Sequence, residues 1–394
     1  MPTRKRRKLN IKNLLVLLAP IILVIVLLIT LLTKNNPAKE EVAKENEEEV
    51  VEETNTEIEE EKDKVSFVFM GDGLLHESVY MDAQENGTYN FDKQLHYIKD
   101  IASKYDLAYY NQETILGGEE LGLSGYPTFN SPFEFGEYMV NSGFNLVSTA
   151  NNHCLDKGTI GIENSHEFWK GQNGVVMQGT NVSQEEYDAI ATFEKNGIKF
   201  AYLSYTYGTN GIYPEYAYQV NYYRDHEQEV LDKIAQAKQE NDVVIVAMHW
   251  GDEYSMQINN EQATLADEMT KAGADIIVGN HPHVIQPYQM VNGKPVFYAM
   301  GNLISTQLNE ENLVGMIGAL DIIKENDTIT IENIRYDLVY TVMEGTYPAL
   351  RYNVEVIPFS KLTDEQLADH EAIYEKYKAV VTSLDDSIVC GGIE

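Results

Sequence analysis

Cysteine and basic residues are both scarce in this chain of 394 residues. The two cysteines, Cys154 and Cys390, lie far apart, which excludes a disulfide framework and a cysteine-rich metal site. Lysine and arginine together number 29 against 62 aspartates and glutamates, giving a formal net charge of -33 at pH 7. A chain this acidic is poorly suited to the phosphate backbone of nucleic acids, so we expect no nucleic-acid partner.

One hydrophobic run near the amino terminus is long enough to cross a bilayer. Residues 13–33 are almost wholly apolar, and about 20 such residues span the hydrocarbon core as a helix. The basic cluster RKRRK at 4–8 should stay in the cytoplasm. We therefore predict a cytoplasmic tail at 1–12, a single transmembrane anchor at 13–33 and an extracellular remainder at the cell membrane. A cleaved signal peptide is the alternative, but the run is longer than a usual signal core and no small-x-small cleavage site follows it.

The segment after the predicted anchor is dominated by glutamate, and residues 40–63 contain no aromatic side chain. Such a composition cannot bury enough apolar surface to fold. We predict a disordered acidic spacer at 34–63 that holds the following domain away from the membrane. That domain is placed at 64–345, and a carboxyl-terminal extension with a helix over 362–381 is placed at 346–394.

From residue 65 onward, apolar runs alternate with segments of helical periodicity. Strands are predicted at 65–70, 107–110, 144–149, 175–177, 198–205, 243–248, 274–278 and 295–300. Helices are predicted at 91–105, 131–143 with Ser131 as its cap, 159–172, 227–240 and 261–272. This alternation predicts an α/β domain with a largely parallel sheet. Two later runs, at 315–323 and 328–340, are predicted to be antiparallel strands that complete a second sheet.

Five of these strands end in side chains that can bind a metal ion. They are Asp72, Glu113, Asn152 with His153, His249, and His281 with His283. Open α/β sheets place their sites at the carboxyl ends of strands. Neutral imidazole is the commonest metal ligand in proteins, and such a cluster suits zinc, iron or manganese. The pattern therefore predicts a metal site. The alternative is that the histidines are satisfied interior groups, which we would favour for one histidine but not for three in such positions.

The segments around these strand ends form an ordered set of motifs. They are GD at 71–72, NQE at 111–113, NNHCLDKG at 151–158, YTYGTNG at 205–211, HWGDE at 249–253, GNHPHVIQ at 279–286 and YAMGN at 298–302. In this order they resemble the CapA/PgsA family of capsule and poly-γ-glutamate synthesis proteins. The resemblance covers residues 65–307 and rests on the combination of motifs, because no single one is specific. The predicted membrane anchor agrees with the family's usual layout.

This resemblance implies the calcineurin-like metallophosphoesterase fold, a sandwich of two sheets flanked by helices that binds divalent metal ions. The ligands implied by motif position are Asp72 and His283 at the first metal, Glu113 as the bridging acid, and Asn152, His249 and His281 at the second metal. His153, beside the metals, would be the group that donates a proton to a leaving oxygen. One or two ions of manganese, zinc or iron are implied.

Two positions depart from the usual phosphoesterase pattern. Leu74 stands two residues after Asp72, where these enzymes usually carry histidine, and His76 could substitute only if the loop shifted. The bridging acid is Glu113 rather than aspartate, which is one methylene longer. We therefore expect the first metal site to be less secure than the second, and a mononuclear or weakly loaded binuclear centre. Two tightly held ions per chain would contradict that expectation.

Three further acidic residues are candidate supporting groups near the predicted ligands. Asp156 is interpreted as a turn residue that orders the loop after His153. For Asp252 and Glu253 two interpretations stay open. They either orient His249 or His281 by hydrogen bonds, without binding the metal themselves, or are simply solvated.

Two functions fit these features and do not exclude each other. The first is a membrane-anchored extracellular CapA-like protein that helps a polymer synthase complex assemble or export an anionic envelope polymer, either capsule or poly-γ-glutamate. The alternative is an active metal-dependent phosphoesterase, or a hydrolase or transferase of a cell-envelope polymer. The overall negative charge disfavours an anionic polymer as ligand unless a metal or local basic residues offset it.

Overall fold

The computed structural model of the protein describes residues 63–393. The tail, anchor and spacer predicted for 1–63 lie outside this range, apart from Asp63. Within residues 63–393, no helix is both long and apolar enough to cross a bilayer.

Strands and helices alternate through most of the described chain. The strands are β1 (Asp63–Gly73), β2 (Gln84–Glu85), β3 (Thr88–Tyr89), β4 (Leu107–Asn111), β5 (Leu146–Ser148), β6 (Val176–Gln178), β7 (Ala191–Lys195), β8 (Ile198–Thr206), β9 (Val243–His249), β10 (Ile276–Asn280), β11 (Tyr288–Val291), β12 (Lys294–Phe297), β13 (Asn302–Ile304), β14 (Val314–Glu325), β15 (Thr328–Glu344), β16 (Tyr352–Pro358) and β17 (Val389–Cys390). The α-helices are α1 (Glu77–Asp82), α2 (Asp92–Ala102), α3 (Phe133–Asn141), α4 (Gly158–Lys170), α5 (Gln184–Asp188), α6 (Glu227–Glu240), α7 (Asn260–Ala272), α8 (Glu310–Leu313) and α9 (His370–Val381). Short 3₁₀ helices lie at Glu119–Leu121, Ala217–Gln219 and Phe359–Lys361.

The first sheet is half parallel and half antiparallel. Its strand order is β16-β15-β14-β1-β4-β5-β6, with β13 paired to the end of β1 and β17 paired to β15. Strands β1, β4, β5 and β6 run parallel, whereas β14, β15 and β16 pair antiparallel. The prediction that β14 and β15 complete a second sheet is wrong, because β14 pairs with β1 along residues 63–69. The run of buried residues from Val314 to Ile322 suits β14 to this interior position in the sheet.

The second sheet has the order β11-β12-β10-β9-β8-β7. Its four inner strands are parallel, and the two edge strands, β7 and β11, are antiparallel hairpin partners of β8 and β12. The largely parallel arrangement predicted from the alternating pattern is therefore confirmed for the centre of this sheet and for the β1-β4-β5-β6 half of the first.

The two sheets pack face to face, with helices on both outer faces. Between the sheets, the rings of Phe69 and Phe297 lie edge to face at 4.6 Å, and the hydroxyl groups of Ser148 and Ser204 are 2.8 Å apart. Helices α2, α3 and α4 cover the first sheet through a second apolar cluster, and α6 and α7 cover the second sheet through a third. In β1, Phe67 faces the partner sheet while Val68 faces the helices, as the two-residue repeat of a strand requires. The predicted two-sheet sandwich flanked by helices is confirmed.

Two helix starts differ from the prediction. Helix α3 begins at Phe133 without a side-chain cap, because the Ser131 hydroxyl donates a hydrogen bond to Thr114 Oγ1 at 2.7 Å instead. Helix α9 begins at His370 rather than at 362, because Asp369 has a left-handed backbone conformation, with φ of 57°, which interrupts a right-handed helix.

Candidate metal centre and adjoining cavity

The candidate site lies where the carboxyl ends of strands from both sheets meet. Asp72 is the penultimate residue of β1, Glu113 follows β4, and His249 ends β9. The loop after β10 supplies His281 and His283, and the loop after β5 supplies Asn152 and His153. All seven of these predicted residues are buried.

Three of them converge more closely than the rest, and we call Asp72, Glu113 and His283 the acidic trio. One ligand atom from each lies within 4.8 Å of the other two. His283 Nδ1 is 3.5 Å from Asp72 Oδ2, and His283 Nε2 is 3.5 Å from Glu113 Oε1. This is the first-metal set, together with its bridging acid, that was expected to be less secure.

The Glu113 carboxylate is the clearest sign that the trio is built for a cation. Both of its oxygens are buried, and neither has a hydrogen-bond partner among the described residues. A buried carboxylate without hydrogen bonds is costly unless a positive charge neutralises it. Two carboxylates and an imidazole are ligands that a divalent transition metal accepts, so the residues present fit the implied metal.

The predicted second set lies beside the trio. His249 Nε2 is 3.8 Å from Glu113 Oε1 and 3.0 Å from Asn152 Oδ1. The ring of His281 lies 4.7 Å from that of His249, and its buried Nδ1 has no hydrogen-bond partner among the described residues. The His281 backbone N–H donates to Asp72 Oδ2 at 3.3 Å, which ties the two sets together.

Burial and charge set the protonation of these groups. Burial raises the pKa of Glu113 well above its ordinary value, although His283 opposes the shift. Burial lowers the pKa values of His249 and His281 well below the usual range, so both rings are neutral and keep a lone pair for a cation. Burial also acts to lower the pKa of His283, but the carboxylates of Glu113 and Asp72 outweigh the effect of burial and raise this pKa to about 9. A bound cation would replace the proton that His283 holds.

The backbone around the trio is closely fitted. His281 and His283 have φ angles of 101° and 58°, in the left-handed region that costs non-glycine residues energy and that clusters at functional sites. Gly279 precedes them because a Cβ there would lie 1.9 Å from the carbonyl oxygen of Tyr298. Asp72 is held by its backbone N–H, which donates to the carbonyl of Gly301 at 2.9 Å.

His153 stands apart from the trio and is paired with Asp156. Its Nδ1 lies 2.7 Å from Asp156 Oδ2, an oxygen that also accepts the backbone N–H of Phe129 at 2.7 Å. Asp156 therefore does more than order a turn, because it fixes the imidazole. The pairing leaves Nε2 as the free ring nitrogen of His153, which lines the cavity next to the trio.

That cavity has a volume of about 530 Å³ and opens beside His283. His76 and Leu74 lie in its wall, and neither joins the acidic trio. Burial and the nearby His283 lower the pKa of His76 to about 3. Glu253 lines the mouth, whereas the exposed Asp252 accepts a hydrogen bond from Asn259 at 3.1 Å.

Asn302 is a supporting residue that was not among the predicted site residues. Its Oδ1 lies 3.1 Å from His283 Nδ1, while its Nδ2 donates to Gln307 Oε1 and to the carbonyl of Asn312, both at 2.8 Å. Because the amide nitrogen faces these acceptors, the amide oxygen must face His283, whose Nδ1 is then the donor. The His283 Nε2 lone pair is left for a cation shared with Glu113. The signal that could have identified Asn302 is its position just after a predicted strand, in the motif YAMGN.

We expect Asn302→Leu to weaken divalent-metal binding about 10- to 100-fold, the usual cost of losing the hydrogen-bond partner of a metal-binding histidine. Titration calorimetry with Zn²⁺ measures this loss. Nitrogen-15 spectra of the zinc-loaded wild type should show His283 bound through Nε2 with a protonated Nδ1. Asn145→Leu is the control for lost stability. It removes a comparable side-chain amide that hydrogen-bonds to the backbone beside β4. Unchanged affinity in a folded Asn302→Leu variant would contradict the assignment.

Comparison with known proteins gives a family match over much of the domain. The family model described as "Bacterial capsule synthesis protein PGA_cap" matches residues 66–307. The PGA biosynthesis protein CapA of Bacillus subtilis (strain 168) is 33% identical over 181 residues, which is 43% of this chain and 44% of that protein. The capsule biosynthesis protein CapA of Bacillus anthracis is 31% identical over 170 residues, 42% of this chain and 41% of that protein. The matches thus span less than half the length of these relatives.

Among solved structures, the chain is similar to a calcineurin-like phosphoesterase, YfkN of Bacillus subtilis. The identity is 15% and the TM-score 0.44, over 80% of this chain and 99% of that one. At this distance the likeness says nothing about the chemistry of the site.

Proposed function

Since the chain belongs to the PGA_cap family of bacterial capsule synthesis proteins, we propose that it serves capsule or poly-γ-glutamate biosynthesis or export as a metal-dependent phosphoesterase. The observation that supports this best is the acidic trio beside an open cavity, in which both Glu113 oxygens are buried without a hydrogen-bond partner among residues 63–393. Phosphoester chemistry of the metallophosphoesterase type is consistent with the neighbouring His153–Asp156 pair.

The proposed location is the outer face of the cell membrane. The basic cluster at 4–8, the apolar run at 13–33 and the acidic segment at 34–63 support a single-pass anchor with a cytoplasmic amino terminus and an extracellular domain. A polymer synthase complex in the same membrane is the proposed partner, and the growing envelope polymer is the proposed context of the reaction.

In the proposed reaction, the acidic trio and the neighbouring His249, His281 and Asn152 hold the metal. A bound divalent ion, manganese, zinc or iron, supplies Lewis acidity to a phosphoryl oxygen and positive charge that stabilises the transition state. The neutral imidazoles add no competing positive charge. Glu113 contributes to both sets of ligands because it lies within 4 Å of His283 and of His249.

His153 is proposed to donate a proton to the leaving oxygen. Asp156 orients the ring through Nδ1, so that Nε2 is the nitrogen available to a substrate in the cavity. The ring of Phe129 packs perpendicular to the imidazole, with 4.7 Å between the centroids, and restricts its rotation. Neither contact depends on the metal, which makes the proton donor separable from the metal centre by mutation.

A non-hydrolytic accessory role is the second candidate function. Leu74 occupies the position where phosphoesterases of this fold usually carry a histidine ligand, as the sequence resemblance implies, and His76 lies outside the trio. A centre with an incomplete ligand set could retain metal for binding or structure alone. Metal binding without turnover would then serve assembly of the synthase complex.

Turnover of an aryl phosphate by the purified full-length protein separates the two functions. With Mn²⁺ or Zn²⁺ supplied, we expect the wild type to hydrolyse the ester and a chelator or His281→Ala to abolish the activity. If the wild type shows no turnover but His281→Ala still stops polymer production in cells, the accessory role is correct. If His281→Ala changes neither readout, both functions are contradicted.

A further inference from the structure

The walls of the cavity beside the acidic trio have an unusual charge balance for a site that would handle an anionic polymer. Among the described residues that line it, there is no lysine or arginine, and two are acidic, Asp156 and Glu253. Two arginines outside the lining make hydrogen bonds to other groups. Arg224 donates two hydrogen bonds to Glu261, at 2.8 and 2.7 Å, and Arg351 donates to the carbonyl of Thr306 at 2.8 Å. Within the lining, compensation for an anion is therefore left to its histidines and to a bound metal, with no lysine or arginine beside them.

A tyrosine is fixed at the metal side of the cavity. Tyr254 lines the cavity, is 52% exposed, and its ring centroid lies 6.2 Å from that of His283. Its backbone N–H donates to the carbonyl of Pro282 at 2.8 Å, and its φ is 65°. The strained backbone holds the Tyr254 side chain in place, and half of it is open to solvent. The ring is therefore a preformed flat surface next to the metal ligands.

A second tyrosine stands on the proton-donor side. Tyr126 is 77% exposed, and its ring packs edge to face on Phe129 at 6.3 Å. Phe129 in turn contacts His153, so this surface is tied to the proton donor as Tyr254 is tied to the metal centre. The remaining polar lining includes Thr128, Asn210 and Gln307, which are uncharged and offer both donors and acceptors.

We propose that the cavity takes a phosphate ester of an uncharged sugar, with the phosphoryl group at the metal centre and the sugar ring against Tyr126 and Tyr254. The amides and the threonine hydroxyl would bind sugar hydroxyl groups. A strand with a carboxylate on every unit, such as poly-γ-glutamate, is disfavoured because its carboxylates would meet Glu253 in a lining that has no lysine or arginine. The proposal rests on the proposed phosphoesterase function and names its substrate class.

The chemistry balances with water as the only co-reactant. The bond between phosphorus and the sugar oxygen breaks, and the sugar oxygen takes a proton from His153. A new bond forms between phosphorus and the oxygen of water, and a proton from that water restores His153. The products are inorganic phosphate and the free sugar hydroxyl.

Three monophosphates that differ in ring and charge test the proposal. Binding of glucose 1-phosphate, glycerol 3-phosphate and 3-phosphoglycerate is measured by calorimetry on the metal-loaded full-length His153→Ala protein, in which turnover is suppressed. We expect glucose 1-phosphate to bind roughly five- to tenfold more tightly than glycerol 3-phosphate, as one ring contact provides. 3-Phosphoglycerate, with its additional carboxylate, should bind weakest.

Substitutions added to the His153→Ala protein test which residues cause the preference for glucose 1-phosphate. Adding Tyr126→Ala or Tyr254→Ala should bring the ratio of the glucose and glycerol phosphate affinities close to one, whereas Tyr352→Ala, at 50% exposed and outside the lining, should not change it. Adding Glu253→Gln should improve 3-phosphoglycerate binding selectively. If glycerol 3-phosphate or 3-phosphoglycerate binds the His153→Ala protein as tightly as glucose 1-phosphate does, or more tightly, the sugar assignment is overturned. If inorganic phosphate itself fails to bind when metal is loaded, the phosphoesterase function is contradicted instead.

Discussion

Glu113→Gln is expected to abolish tight divalent-metal binding and, at the same time, to stabilise the metal-free protein at neutral pH. The first effect follows from its position, since Glu113 Oε1 lies within 4 Å of ring nitrogens of both His249 and His283. Loss of a direct ligand should cost more than the roughly 10- to 100-fold that removal of an outer hydrogen-bond partner costs. The second effect follows from burial without hydrogen bonds.

The sign of the stability change comes from the raised pKa of Glu113. Burial places the folded-state pKa well above the ordinary value of 4.5. Folding therefore favours the protonated acid, whose stabilising contribution is complete below pH 4.5 and is lost as the pH rises through the folded-state pKa. At neutral pH, folding of the wild type therefore carries the cost of either protonating this acid or burying its charge, and the neutral amide avoids both costs. The substitution leaves His283 its other carboxylate neighbour, Asp72, which is 3.5 Å away in the wild type.

Metal content by elemental analysis, and thermal melts with and without chelator, measure both effects. The wild type should melt higher with metal than without it, by mass action. Glu113→Gln should melt above the metal-free wild type and show no shift on adding Mn²⁺ or Zn²⁺. Glu332→Gln, an exposed carboxylate on β15, should behave as the wild type in every measurement. A Glu113→Gln protein that retains stoichiometric metal would contradict the role of the trio.

The fold was predictable where local pattern and burial agree. The strands around 243–249 and 276–280 are continuous apolar runs because they are covered on both faces, by the partner sheet and by helices. Sheet membership was not predictable in the same way. Strand β14 is apolar enough for either sheet, and its pairing with β1 depends on long-range contacts that no local pattern records.

The site was predictable as a set of residues but not as a geometry. The rule that ligands follow parallel strands gathers Asp72, His249 and His283, because their strands all end at one edge of the sandwich. The family resemblance implied that Glu113 and His283 share a metal, but neither it nor the rule gives distances, so the 3.5 Å separation of their ligand atoms comes from the structure. Asp156 lies in the motif NNHCLDKG and was interpreted as a turn residue, but only the structure shows its carboxylate 2.7 Å from the ring of His153.

His153→Ala is expected to slow hydrolysis of an alkyl phosphate by about 10²- to 10⁴-fold while slowing an aryl phosphate far less. An alkoxide is a poor leaving group and requires the proton, whereas an activated phenolate departs without it. The measurement is kcat for glycerol 3-phosphate and for p-nitrophenyl phosphate at saturating Mn²⁺. Asp156→Asn keeps a hydrogen-bond partner near His153 Nδ1 without the charge and should give a smaller loss in the same direction. His226→Ala, at an exposed histidine before α6, is the control.

The ratio of the two rates distinguishes a proton donor from a merely structural residue. Removing His153 also removes its contact with Phe129 and leaves Asp156 without the ring it pairs with, so some stability is lost. A smaller folded fraction or a weaker metal site would lower both rates by the same factor and would cancel in the ratio. Only a proton delivered to the leaving oxygen makes the loss depend on the leaving group. Equal slowing of both esters would place His153 with the residues that position the metal and would remove it from the chemical step.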